Sequence, residues 1–394
     1  MPIEWDNLSK KRAYLDYNAT APLRPESRAA ILDALDKVGN ASSVHAEGRA
    51  ARARVEAART EIARLVGGDG KLVTFTSGGT EANNTVLTPD WTRAGKPHTC
   101  ERLLVSATEH PSVLAGGRFP ADSVVRIPVD RNGVIDSEAL RSLLSGGGGR
   151  ALVSVMLANN ETGVIQPIKE IAAIAREAGA LVHTDAIQAV GRVPVDIYEL
   201  GVDVLTLSAH KIGGPQGAGA IVRSDEALAF SPLLTGGGQE RRARAGTENV
   251  AAIAGFGVSA ALALADIEKV HGWSVLRDDI AAIVSSSGRP ITIFGEDTAR
   301  LPQTLCLAVA GISAETLVIA LDLAGIAVSS GSACSSGKVA PSHVLAAMGV
   351  PDDVAQSAIR VSLGWDSTKY DLDLFASAWR RVVKHMAPGE FQAA

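Results

Sequence analysis

Ala180-Leu181-Val182-His183-Thr184-Asp185-Ala186-Ile187-Gln188 and Val202-Asp203-Val204-Leu205-Thr206-Leu207-Ser208-Ala209-His210-Lys211 decide the fold. Each begins as an apolar run of strand length, 180–183 in the first and 202–207 in the second. The first reaches an aspartate, and the second reaches a lysine 26 residues further on. Runs 72–76, 102–106 and 151–156 read the same way, and residues 168–178 between them carry a helical pattern. Near-continuous apolar strands alternating with helices predict an α/β protein with a mostly parallel sheet covered on both faces. Ligands of such sheets gather at the carboxyl ends of the strands, where Asp185 and Lys211 fall.

Upstream, Val55, Ala58, Ile62 and Leu65 repeat at helical spacing over residues 47–65, and Gly67-Gly68 offers a stop. The pattern changes after about residue 250, where an alanine-rich helical stretch (250–270) leads into helices and shorter strands ending near 385. This predicts a large domain over 21–262. A smaller α+β domain takes 263–394 together with residues 1–20, whose strand lies around Tyr14 to Tyr17. The glycines 146–149 read as a surface turn.

Composition narrows the function. A chain of 394 residues is too long for one small core. The net charge of −5, without a basic run, argues against nucleic-acid or anionic-membrane binding. Residues 1–17 mix acids and lysines with no apolar stretch of signal-peptide kind, and no segment approaches the ~20 apolar residues of a membrane span. Three cysteines, Cys100, Cys306 and Cys334, are too few for a disulfide framework and fit a reducing cytoplasm. No metal site is expected.

A lysine and an aspartate at strand ends suit pyridoxal phosphate. The amine can condense with the aldehyde, while the carboxylate keeps the pyridine nitrogen protonated so that the ring takes up electrons. Thr76-Ser77-Gly78-Gly79-Thr80-Glu81-Ala82-Asn83-Asn84 follows a strand and opens a helix. That arrangement aims amides at an anion, with the Thr80 hydroxyl beside them; an ordinary glycine turn has the same composition. His110, after the 102–106 strand, can stack on a flat ring and exchange protons, or be a solvated loop histidine. Asn159-Asn160-Glu161 can reach a ligand or simply form a turn. Ser208 and His210, two apart, share a face and can bond a phosphate, as can Thr247. Arg241, Arg242 and Arg244 suit equally a solvated face or a subunit contact. Cys334 lies among glycines and serines in residues 328–338, the setting of a travelling nucleophile whose reactivity depends on a lowered pKa. Cys306 reads as a buried strand residue. Arg360 can fork onto a substrate carboxylate or form a structural ion pair.

In order along residues 14 to about 365, Tyr14-Leu15-Asp16-Tyr17-Asn18-Ala19-Thr20, the 76–84 turn, Thr108-Glu109-His110, Asn159-Asn160-Glu161, Asp185 to Gln188, Ser208 to Lys211, Ala245-Gly246-Thr247 and Gly331 to Cys334 form a highly specific set. The chain resembles the cysteine desulfurases of the iron–sulfur-cluster and nitrogen-fixation type. These are class V members of the fold-type I pyridoxal-phosphate enzymes, whose large domain has a seven-stranded sheet. The resemblance implies that Lys211 carries the cofactor and that Asp185 pairs with its ring nitrogen. Gln188 and Asn160 would contact its phenolic oxygen, and Gly79, Thr80, Ser208 and His210 its phosphate. Thr247 would reach the phosphate from the other subunit of a homodimer. His110 would stack on the ring and move protons, Arg360 and Asn160 would bind L-cysteine, and Cys334 would take its sulfur. The persulfide would pass to an acceptor or iron–sulfur scaffold protein. A selenocysteine lyase or another class V enzyme would use the same site. An aminotransferase would not need Cys334, and a non-catalytic scaffold would not need the three residues together.

Overall fold

The computed structural model describes residues 12–331 and 342–385. Its largest sheet has seven strands, in the order Val73–Thr76, Gly219–Arg223, Val204–Ser208, Leu181–Asp185, Ala151–Ser154, Arg102–Ser106 and Val124–Ile127. Gly219–Arg223 runs antiparallel to both neighbours, and every other pairing in this sheet is parallel. All residues of Val73–Thr76, Ala151–Ser154, Leu181–Asp185 and Val204–Ser208 are buried. Both faces of these strands pack, so their residues are buried without an alternation of buried and exposed positions. The expected mostly parallel α/β sheet is present.

The strand ends differ from the sequence reading in a way that matters for the site. The run expected at 180–183 continues to Asp185, so the carboxylate stands on the strand itself. The run expected at 202–207 is shifted to Val204–Ser208, and Lys211 closes the 3-10 turn Ala209–Lys211 beyond it. Leu72 likewise belongs to a 3-10 turn over Gly70–Leu72, where the Asp69 carboxylate accepts the Lys71 amide at 2.8 Å.

Helices cover the sheet for reasons visible in their patterns. Ile168–Glu177 buries Ile168, Ile171, Ala172, Ile174 and Ala175, one helical stripe. Val250–Asp266 packs against Ala46–Leu65 and Pro25–Leu35. A Cβ on Gly257 would fall 2.5 Å from Ala58 Cα, so glycine permits this close crossing. The expectation that no segment approaches a membrane span needs correction. The 36-residue helical run Val250–Ser285 is long and apolar enough to cross a membrane by length and composition. Half of its most apolar stretch is buried inside the fold, and Ala252, Ile253, Phe256, Ala260 and Ala263 belong to the large core. Tertiary packing accounts for its apolar character.

A second core lies around the antiparallel sheet Ile291–Ile293, Thr304–Val309, Ala358–Ser362, Ser329–Ser330. Leu15, Ile280, Leu305, Leu321, Phe375 and Trp379 meet there. The strand Ala13–Tyr14 pairs in parallel with Ile326–Ala327, so the N-terminal segment packs with the C-terminal region. The chain then passes from this core to the carboxyl ends of the large sheet, bringing residues 16–20 to the site.

Candidate active site

A cavity of about 310 Å3 opens at the carboxyl ends of the central strands. Ten of the predicted residues line it: Gly79, Thr80, His110, Asn160, Asp185, Gln188, Ser208, His210, Lys211 and Arg360. Thr247 does not. It lines a separate cavity of about 200 Å3 with Ser77, Arg244 and Asn249. Cys334 lies outside the described residues.

One end of the cavity suits an anion. The strand Val73–Thr76 leads into the helix Gly79–Val86, whose first amides have no partner within the helix. A Cβ at Gly79 would fall 2.3 Å from Ile187 Cδ1, so any side chain there forces the tip of Ile187 to move. His210 Nδ1 lies 3.2 Å from the Thr20 hydroxyl. Burial, helped by the charges of Lys211 and Arg192, lowers its pKa to about 4, so the ring is neutral at pH 7.

Asp185 defines the other end. Its Oδ1 accepts the Ile187 amide at 3.0 Å, and its Oδ2 accepts Asn83 Nδ2 at 2.8 Å. Burial pushes its pKa up; these two bonds and the charge of Lys211 oppose that. Asn83 is fixed in turn, for its Oδ1 takes the Thr206 hydroxyl at 2.6 Å and its Nδ2 also donates to Ser112 Oγ at 3.0 Å. His110 caps the short helix Pro111–Leu114, and its Nδ1 accepts the Ser112 amide at 3.2 Å with Ser112 Oγ at 2.8 Å. Burial depresses the His110 pKa, against the pull of Asp185. The network assigns a neutral ring with its proton on Nε2.

Lys211 Nζ donates to the carbonyls of Asn18 and Ala19 at 2.6 and 2.7 Å. Arg360, on the Ala358–Ser362 strand, realises the ion-pair reading, with Nη2 2.7 Å from Asp16 Oδ1. Its Nη1 donates to the Asn160 carbonyl at 2.9 Å, while its buried Nε has no partner among the described residues. It therefore lines the cavity already oriented by Asp16.

In the arginine cluster Arg241 and Arg242 are exposed, as a solvated face would have them, and Arg244 is half-buried. Arg244 pairs with Glu81 at 2.9 Å, and Arg241 donates to the Lys71 carbonyl. Four contributors had no role in the sequence reading: Asn83, Asn18, Arg192 and Glu161. Asn83 stands inside the quoted 76–84 motif, but its partners Asp185 and Thr206 are more than 100 residues away. Glu161 is buried, and burial raises its pKa to about 7, against the Ser342 hydroxyl bond and the Arg360 charge.

The residues present fit pyridoxal phosphate. The glycine-lined helix start suits the phosphate, and a buried carboxylate with no salt bridge among the described residues suits the protonated ring nitrogen. The amine on Lys211 suits the aldehyde.

A family model described as aminotransferase class-V matches residues 13–375. The chain is 40% identical over 383 residues to a cysteine desulfurase IscS of Dictyoglomus turgidum, covering 96% of each chain. It is 44% identical over 370 residues to a cysteine desulfurase of Cereibacter sphaeroides, covering 92% of this chain and 93% of that one. Among solved structures, a NifS-like protein from Rickettsia africae superposes with a TM-score of 0.84 at 35% identity, covering 95% of this chain and 99% of the other.

Proposed function

The chain belongs to the aminotransferase class-V family, and on that premise we propose that it is a pyridoxal-phosphate-dependent cysteine desulfurase. The observation that carries this reading is the convergence of the Lys211 amine, the Asp185 carboxylate and the Gly79–Thr80 helix start on one cavity. Relatives of that activity, about 40% identical over nearly the whole chain, support it.

When bound, the cofactor supplies an electron-accepting ring that weakens bonds around the substrate's Cα and Cβ. Asp185, held by Asn83 and the Ile187 amide, would pair with the ring nitrogen. Gly79, Thr80, Ser208 and His210 would hold the phosphate, with neutral His210 contributing a hydrogen bond rather than charge. Gln188 and Asn160 would face the phenolic oxygen, and Lys211 the aldehyde carbon. His110 would stack on the ring, with Nδ1 anchored on Ser112 and Nε2 left to exchange protons with the site. Arg360 would take the cysteine carboxylate through donors that Asp16 and Asn160 leave unused.

The sulfur step belongs to Cys334. Its thiolate would attack the substrate sulfur, forming an S–S bond as the Cβ–S bond breaks, and the electron pair would stay with the carbon that becomes alanine. Sulfur is oxidised to the persulfide level and that carbon is reduced, so no outside oxidant is needed. The persulfide would then pass to an acceptor or scaffold protein of iron–sulfur cluster assembly. The position of Thr247, away from its own cavity, supports a homodimer in which it reaches the partner's phosphate. The free buried thiols Cys100 and Cys306 support a reducing cytoplasm.

The test is direct. Protein loaded with pyridoxal phosphate should show a visible absorption band that Lys211→Ala abolishes, and should convert L-cysteine to alanine. Pyruvate or unchanged cysteine as the outcome would overturn the assignment.

A further inference from the structure

Arg192 lies behind the cavity and is 5% exposed. Burial, with the Arg360 charge adding to it, pushes its pKa down to about 9. Its hydrogen-bond partners are amide oxygens: Gln188 Oε1, the Gln188 carbonyl at 3.0 Å, the Lys211 carbonyl at 3.2 Å and the Tyr17 carbonyl at 3.5 Å. A buried guanidinium held, among the described residues, by amide oxygens alone is costly, and its geometry shows what it does here.

The Gln188 side chain is read from both sides. Its Oε1 accepts from Arg192, and its Nε2 donates to the Asn18 carbonyl at 2.9 Å. Reversing the amide would set its NH2 against the guanidinium and its oxygen against a carbonyl, so one orientation alone satisfies both contacts. One Nε2 hydrogen goes to Asn18, and the other remains for the cavity that Gln188 lines.

We propose that Arg192 is a positioning residue that fixes Gln188 as a hydrogen-bond donor to the cofactor, while holding the Lys211 turn by its carbonyl. The inference rests on the pyridoxal-phosphate reading above. A donor at the phenolic oxygen favours its anionic form, so losing that donor raises the pKa seen in the visible band of the bound cofactor.

The experiment loads wild type, Arg192→Met, Gln188→Ala and the double variant with pyridoxal phosphate and titrates that band with pH. Arg192→Met should raise its pKa as much as Gln188→Ala does, roughly tenfold in proton affinity. The double variant should shift no further, because both changes remove one donor. An unshifted Arg192→Met protein, or a double variant shifted beyond Gln188→Ala, would overturn the inference; the second outcome would mean that Arg192 acts by its charge alone. If Arg192→Met does not fold, Arg192→Lys is titrated instead, since it keeps the charge and a donor for Gln188 Oε1. A wild-type pKa is expected there, and a shift equal to that of Gln188→Ala contradicts the proposal. A wild type with no visible band would defeat the cofactor reading itself, which separates the two failures.

Discussion

Asn83 Nδ2 stands 2.8 Å from Asp185 Oδ2, and the Asn83 side-chain Oδ1 itself accepts the Thr206 hydroxyl at 2.6 Å. The asparagine cannot turn without breaking both bonds, so its N–H points permanently at the carboxylate. It supports the ionised form of Asp185 against the burial that opposes it. A bond to a charged group is worth roughly 1.5–3 kcal/mol. Asn83→Ala should therefore weaken pyridoxal-phosphate binding by about tenfold or more, measured by equilibrium titration, while the fold, read by circular dichroism, is retained. Unchanged affinity would show that Asp185 does not need this bond.

Gly79 gives a steric prediction. In Gly79→Ala the new methyl meets Ile187 Cδ1, and overpacking of this kind costs about 1–3 kcal/mol. Cofactor affinity should fall, and Ile187→Val, which removes the obstructing methyl, should restore much of it. Failure of the second change to rescue the first would place the glycine requirement elsewhere.

Much of this site was legible in the chain because its parts are local. The 76–84 turn, the Asp185 strand end and the Lys211 turn each carry their chemistry within a few residues of an apolar run. Asn83 and Glu161 were not legible because their partners come from other segments, and Arg192 because its contacts with the Tyr17 and Lys211 carbonyls do, although Gln188 is only four residues away. The Asp16–Arg360 pair spans 344 residues, so an arginine that suits a substrate carboxylate also has a protein counterion that no spacing reveals. Lys211 falls just beyond the strand read at 202–207, since the strand ends at Ser208 and the chain turns at Ala209–Lys211.

Glu161 predicts a pH dependence of stability. Burial raises its pKa from 4.5 to about 7, with Ser342, Arg360 and Cys306 as its neighbours. Between those two values the native state holds a proton that the unfolded chain releases, so this group's contribution falls as pH rises through the window and is level above it. Glu161→Gln keeps an acceptor for the Ser342 hydroxyl and removes the ionisation. Thermal melts should show the variant matching wild type near about pH 5 and exceeding it near about pH 8. A constant difference at both values would contradict the assigned shift.

Glu240 is held by Arg59 through two 2.9 Å contacts and accepts the Phe75 amide at 2.8 Å. These bonds keep Glu240, Arg241 and Arg242 in left-handed conformations, with φ of 47°, 54° and 69°. Such backbone persists only where surrounding contacts enforce it. Glu240→Ala leaves the buried Arg59 guanidinium with only the half-exposed Glu56 carboxylate, 3.2 Å from its Nε, and denaturant unfolding should show a loss of about 3–5 kcal/mol. A loss below about 1 kcal/mol would mean that Arg59 finds another counterion.

The central claim is that L-cysteine gives up its sulfur to Cys334 on this site. Alanine and sulfide released from L-cysteine under reducing conditions, measured for wild type and for Cys334→Ser, test it most directly. The account predicts equal amounts of the two products from wild type and neither from the variant, although the variant still binds pyridoxal phosphate. Undiminished release from Cys334→Ser would contradict it and point to a lyase that needs no persulfide.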